Sequence, residues 1–220
     1  MINCQTVFYS LSFLIFLQTV RLHYDLVINV FDLSNYGYFL EFRYLTVWCM
    51  ALHFVYYSMQ FITNFLFRNS HLPRLLNYFR TAIVFPVGMF VPMVFWGIYM
   101  INPYLLVSKR KLEITPAINQ HTLHTAPMIF QLLEPVFVRT SHKFSKKSVF
   151  TGQILFQILF TANMFYFRGI MGKFPYPVLD KMWQKNEWYV YGAAAVCIFP
   201  MQGLKMLCEV LSRKKIVKID

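Results

Sequence analysis

Six mostly apolar stretches divide the chain, at about 4–21, 44–67, 80–101, 120–138, 149–167 and 188–211. A hydrocarbon core about 30 Å thick takes roughly 20 apolar residues of helix to cross. The pattern therefore predicts an all-α integral membrane bundle of about six transmembrane helices, forming one transmembrane domain over 1–220. The second and third stretches are the cleanest. Pro86, Gly88 and Pro92 do not disqualify the third, because neighbouring helices can re-satisfy freed backbone groups. The first is interrupted by Arg21, His23 and Asp25, and the fourth is the most polar. Turn-formers and charges fill 69–77, 102–116, 140–147 and 169–187. Tyr44, Trp48, Tyr99, Tyr104, Trp183, Trp188 and Tyr189 fall near span ends, as an interfacial aromatic belt requires.

Composition strengthens this picture. Hydrophobic residues make up 57% and charged residues 14%, against about 45–50% and about 25% in soluble domains. The mean hydropathy is +0.45. The net charge of +12 lies in short clusters between apolar runs, which suits lipid headgroups rather than nucleic acid. Cys4, Cys49, Cys197 and Cys208 are scattered and form no C-x-x-C, so neither a disulfide framework nor a zinc site is indicated. Residues 1–20 lack a basic leader and a small-residue cleavage site, so the first span is expected to stay as an anchor. With six spans, eleven Lys and Arg share the face of the two termini and nine lie opposite. The positive-inside rule then places both termini in the cytoplasm. Both the endoplasmic reticulum and the plasma membrane fit such a chain.

Chemistry concentrates at Gln120-His121-Thr122-Leu123-His124-Thr125. Ionisable groups at membrane depth are costly and read as functional. Spans two and four cross in the same direction, so their N-terminal ends share one side. Thr46 lies about two residues into span two and His124 about four into span four, roughly 3 and 6 Å deep at 1.5 Å per residue. A hydroxyl and an imidazole thus arrive just under one interface. Threonine needs an adjacent base to act as a nucleophile, and histidine has the pKa for it; such a pair performs acyl transfer on an ester or thioester. Each residue also has an ordinary role in an interhelical hydrogen bond. His121 and His124, three apart, share a helix face and suit two metal ligands, but His23, His53, His71 and His142 are isolated, and H-E-x-x-H and G-x-S-x-G are absent. Glu134 is expected to pair with Arg139, and Glu209 with Lys205 four residues before it.

Several stretches together resemble one family: Phe42-Arg43-Tyr44-Leu45-Thr46; Phe85-Pro86-Val87-Gly88 with Phe95-Trp96 and Ile98-Tyr99; His121-x-x-His124-Thr125; Arg139-Thr140-x-His142; Tyr176-Pro177-x-Leu179; and Glu209-Val210-Leu211. In order and spacing, over roughly 40–212, they are similar to the androgen-induced gene 1 and androgen-dependent TFPI-regulating protein family of multipass membrane proteins. The resemblance implies an intramembrane threonine hydrolase that cleaves fatty acid esters of hydroxy fatty acids. It puts the nucleophile at Thr46 and the essential histidine at His124. Gln120 stands where asparagine is usual, Thr122 where glycine is, and the loop 102–118 is short; these departures bear on substrate preference.

The physical and family readings meet in one mechanism. His124 takes the proton of Thr46, which attacks the ester carbonyl of a membrane lipid; water then hydrolyses the acyl-threonine. His121 and Thr125 are supporting residues and, with backbone N–H groups near the start of span four, candidates to stabilise the oxyanion. No metal or organic cofactor and no nucleic-acid partner is called for. The rival from another class is a non-catalytic transporter or signalling scaffold.

Overall fold

A computed structural model describes residues 4–30, 35–66, 71–138 and 144–213. Arg68, Arg139, Lys143, Lys214, Lys215, Lys218 and the Arg139-Thr140-x-His142 motif lie outside the described residues, so six of the eleven basic residues assigned to the face of the termini do. The described residues are helical, with no strand among them. In chain order the helices are α1 (Cys4–Asp25), α2 (Asn35–Leu40), α3 (Leu45–Leu66), α4 (Leu72–Phe79), α5 (Phe85–Ile101), α6 (Lys109–Ile114), α7 (Ala117–His124), α8 (Ala126–Phe137), α9 (Lys146–Met171), α10 (Pro177–Lys185), α11 (Trp188–Val196) and α12 (Ile198–Arg213).

Among the described residues, five continuous helical segments are long and apolar enough to cross a membrane: Cys4–Asn29, Leu45–Phe65, Leu72–Ile101, Lys146–Met171 and Trp188–Leu211. The expected fourth span differs. It is two short helices, α7 and α8, meeting at Thr125 (φ −126°, ψ −44°). Pro127 has no N–H to give the Leu123 carbonyl, which favours a break here. At 1.5 Å per residue the 12 residues of α8 reach only about 18 Å, so α8 alone falls short of a bilayer. The third span also starts earlier than its hydropathy indicates. α4 continues through a π-helical turn (Arg80–Val84) into α5, which carries Arg80 into the protein rather than leaving it at the end. Pro200 opens the last span in the same way, by denying the Val196 carbonyl its partner, and α11 yields to α12 there.

α3 is the central helix, packed along α1 and touching α4, α5, α7 and α8. α5 rests on α12 and α8, and α9 on the π turn and α12. Phe8, Tyr9, Phe16, Tyr56 and Tyr57 form one aromatic core; Cys49, Val87, Val91, Phe156 and Met201 form a second. The outer faces remain apolar. Only 22% of the apolar window of α9 and 17% of that of α11–α12 is buried, so Leu155, Ile158 and Leu159 project outwards. In water such a surface would be an association liability; against acyl chains it is what the solvent requires. The chain is a multi-pass membrane protein.

Polar side chains fill the middle instead. Glu134 is fully buried and its Oε2 lies 3.1 Å from Arg80 Nε. Tyr9 and Tyr56 donate to Oε1, and Tyr57 donates to Oε2 at 3.4 Å. Arg80 is thus the charge partner found for Glu134, where the sequence points to Arg139. Lys205 and Glu209 pair as expected, at 2.6 Å. A close approach explains Gly88: a Cβ there would stand 2.6 Å from His53 Nε2 and 3.1 Å from Gln131 Cγ. His53 cannot retreat easily, because its Nδ1–H donates to the Cys49 carbonyl at 2.8 Å and its ring stacks on Phe16.

Candidate active site

The site begins with how α3 starts. A 3₁₀ turn (Glu41–Arg43) is followed by Tyr44 in extended conformation (φ −92°, ψ 131°), which turns the chain into α3 at Leu45. The Phe42 carbonyl holds that corner, accepting from Trp48 Nε1 at 2.7 Å and from Asn163 Nδ2 at 2.9 Å. Thr46 is the second residue of α3. The first amides of a helix have no intrahelical partner; that of Leu45 donates to Tyr176 Oη at 2.8 Å.

α7 supplies the imidazole. His124 is its last residue and is 7% exposed. Its Nε2 lies 3.2 Å from Thr46 Oγ1, and its Nδ1 lies 3.0 Å from the Gln120 carbonyl. A carbonyl only accepts, so Nδ1 carries the proton and Nε2 presents its lone pair to the Thr46 hydroxyl. Phe95 covers one face of the imidazole, ring on ring at 3.4 Å and 12°. Trp96 Nε1 donates to the His124 carbonyl and to Thr125 Oγ1, each at 3.1 Å. The Phe95-Trp96 pair of α5 therefore holds the last turn of α7 in place.

His121 and Thr125 stand one layer back. His121 Nδ1 is 3.2 Å from Thr125 Oγ1, and the His121 ring stacks on Trp96 at 5.3 Å. Neither belongs to the walls around Thr46.

Two cavities meet at Thr46, Phe95, Leu106 and Tyr176. The larger, about 320 Å³, is lined by Val91, Val94, Ile98, Phe160, Met164 and Leu179 among others. That volume is at the low end for small-molecule sites, which are mostly apolar with few polar groups. The smaller, about 70 Å³, has His23, Glu41, Lys111, Thr115 and Gln120 among its lining residues. Lys111 Nζ pairs with Glu41 at 2.6 Å and lies over the Tyr44 ring at 4.5 Å. The hydroxyl–imidazole pair thus sits where an apolar chamber meets a smaller cavity that has the Glu41–Lys111 pair in its wall.

Span parity brings Thr46 and His124 to one side; periodicity says nothing of Glu41, Lys111, Leu106 or Tyr176, which sit in loops and short helices. Only the motif blocks containing Phe95-Trp96 and Tyr176-Pro177 flagged part of this surround.

Comparison with known proteins agrees with the motif blocks. The human androgen-induced gene 1 protein is 28% identical over 140 residues, 63% of this chain and 56% of that protein, so the match spans little more than half the length of that relative. No solved structure matches. The sequence profile described as FAR-17a/AIG1-like protein matches residues 3–211, nearly the whole chain, and the protein belongs to that family.

Proposed function

We propose that the protein is an intramembrane lipid hydrolase of carboxylic esters, with Thr46 as nucleophile and His124 as general base. One observation carries the reading: Thr46 Oγ1 is 3.2 Å from an imidazole nitrogen whose ring partner, the Gln120 carbonyl, leaves that nitrogen free to accept. Nucleophile, base and orienting acceptor are the three parts such chemistry needs. Thr46 Oγ1 attacks the ester carbonyl carbon as its proton passes to His124 Nε2. Collapse of the tetrahedral adduct expels the alcohol, which takes that proton, and leaves acyl-Thr46. Water deprotonated by His124 then releases the fatty acid.

The two cavities divide the substrate. The apolar chamber suits an acyl chain, while the smaller cavity, with Glu41 and Lys111 in its wall, suits water and the polar end of a lipid. The motif resemblance makes fatty acid esters of hydroxy fatty acids the substrate class. The chemistry asks for neither metal nor organic cofactor.

A fluorophosphonate probe on membranes containing the full chain tests this. The parent is expected to label, with Thr46→Ala and His124→Ala silent at equal folded abundance. Equal labelling of all three removes the catalytic assignment and favours a transporter or scaffold.

A further inference from the structure

Tyr176 is the polar group at the junction of the two cavities that the mechanism above leaves unused. It stands one residue before α10, outside the five membrane-crossing segments. Its Oη accepts the Leu45 amide at 2.8 Å, and its side chain shares the walls of both cavities with Thr46. The tyrosine oxygen therefore occupies the N-terminal opening of α3, where unpaired amides and the helix dipole together favour negative charge.

Donor and acceptor roles follow in one direction. Nε2 of His124 accepts, so Thr46 gives its proton to it. The Leu45 amide gives, so Tyr176 Oη accepts there, and its own proton is left for the cavity that it shares with Thr46. Two relays flank that cavity: Leu45 N–H to Tyr176 O–H on one side, and Thr46 O–H to His124 Nε2, with His124 Nδ1–H closing onto Gln120, on the other. A hydroxyl that accepts one hydrogen bond donates the next more strongly.

We infer that Tyr176 is the oxyanion donor of the proposed hydrolase. Thr46 Oγ1 bonds to the carbonyl carbon and pushes the carbonyl π electrons onto its oxygen. The phenol proton then turns to the carbonyl oxygen, which gains negative charge beside it. Tyr176 keeps its proton throughout and donates a hydrogen bond only, so the proton count of the reaction is unchanged. Burial pushes the phenol well above its ordinary pKa, opposed in part by the Leu45 amide, and it stays a neutral donor near pH 7. This role goes to Tyr176 rather than to His121 or Thr125, which face Trp96.

The inference rests on the hydrolase reading, and one experiment separates the two. Turnover of a fatty acid ester of a hydroxy fatty acid is measured on full-length protein in nanodiscs, for the parent, Thr46→Ala and Tyr176→Phe, with melting temperatures. The expected result is an inactive Thr46→Ala, with Tyr176→Phe reduced about 10²–10³-fold in kcat, the loss typical of one oxyanion donor, at unchanged KM and with only the modest fall in Tm that follows from the Leu45 amide losing its acceptor. Tyr176→Phe turning over like the parent beside an inactive Thr46→Ala overturns the donor role alone. A loss in Tyr176→Phe confined to KM or Tm does the same, because it marks a scaffold. An active Thr46→Ala overturns the hydrolase and this inference with it. Should Tyr176→Phe fail to fold, 3-fluorotyrosine at position 176 preserves the shape with a stronger donor; it is expected to raise kcat, and an unchanged kcat overturns the role.

Discussion

His124 Nδ1 lies 3.0 Å from the Gln120 carbonyl, one helical turn earlier in the same helix. An ordinary i to i−4 contact thus fixes the tautomer of the imidazole, without the buried carboxylate that many nucleophile–histidine pairs employ. Glu134, the acid nearest in sequence, is committed elsewhere.

The pair itself gives the first prediction. Thr46→Ser keeps the hydroxyl and is expected to retain covalent labelling and turnover. Thr46→Val keeps the branched shape, loses the hydroxyl and is expected to lose both. His124→Ala is expected to cost about 10²–10⁴-fold in kcat, the usual contribution of a general base. Active-site labelling with parallel turnover checks all three, and a fully active Thr46→Val refutes the nucleophile.

Glu134 carries the second. Its carboxylate is fully buried against Arg80 at 3.1 Å, with hydroxyls of Tyr9, Tyr56 and Tyr57 completing its surroundings. Removing one partner of a buried pair leaves an uncompensated charge and costs about 3–5 kcal/mol. Arg80→Met and Glu134→Gln are each expected to destabilise by about that much. The double substitution is expected to lose clearly less than the sum, because neither charge is then stranded. Thermal unfolding in detergent reads the cycle, and strict additivity rules the coupling out.

What the sequence made legible divides along physical lines. Helical class follows from hydropathy, and span parity brings Thr46 and His124 to one side at similar depth, since both depend only on length and direction; their lateral contact at 3.2 Å depends on packing and was not legible. The partner of Glu134 did not follow. Arg139, five residues away, looked natural on local spacing, whereas Arg80 becomes available only because α4 runs unbroken into α5 and carries it inward. The divided fourth span escaped because a hydropathy window averages across Thr125 and Pro127. Tyr176 surfaced only as part of the Tyr176-Pro177-x-Leu179 motif, with no role, because a loop residue has no periodicity and its placement depends on how α9 and α10 return the chain to the start of α3.

Gly88 gives the third prediction. An added methyl meets His53 at 2.6 Å, and His53 is held by the Cys49 carbonyl and by Phe16. Overpacking of this kind costs about 1–3 kcal/mol. Gly88→Ala is expected to lower Tm accordingly, and adding His53→Ala to it is expected to recover part of the loss by opening space. If Gly88→Ala melts with the parent, the close approach is not a constraint on the fold.

The apolar chamber supplies the last prediction. Ala194 lines it beside Gln157 and Cys197, and the Ala194 carbonyl accepts from Gln157 Nε2 at 3.2 Å, which uses backbone and leaves the side chain replaceable. Ala194→Leu places three more carbons into about 320 Å³ of space. If that space holds the acyl chain during attack by Thr46, long chains meet the new side chain and short ones do not. A single methylene misfit in an apolar pocket is worth about 1–3 kcal/mol, or about 10–200-fold in kcat/KM. Ala194→Leu is therefore expected to cut kcat/KM for long-chain esters by at least tenfold while leaving short-chain esters near the parent. An equal loss at every chain length would mean that the acyl chain lies elsewhere.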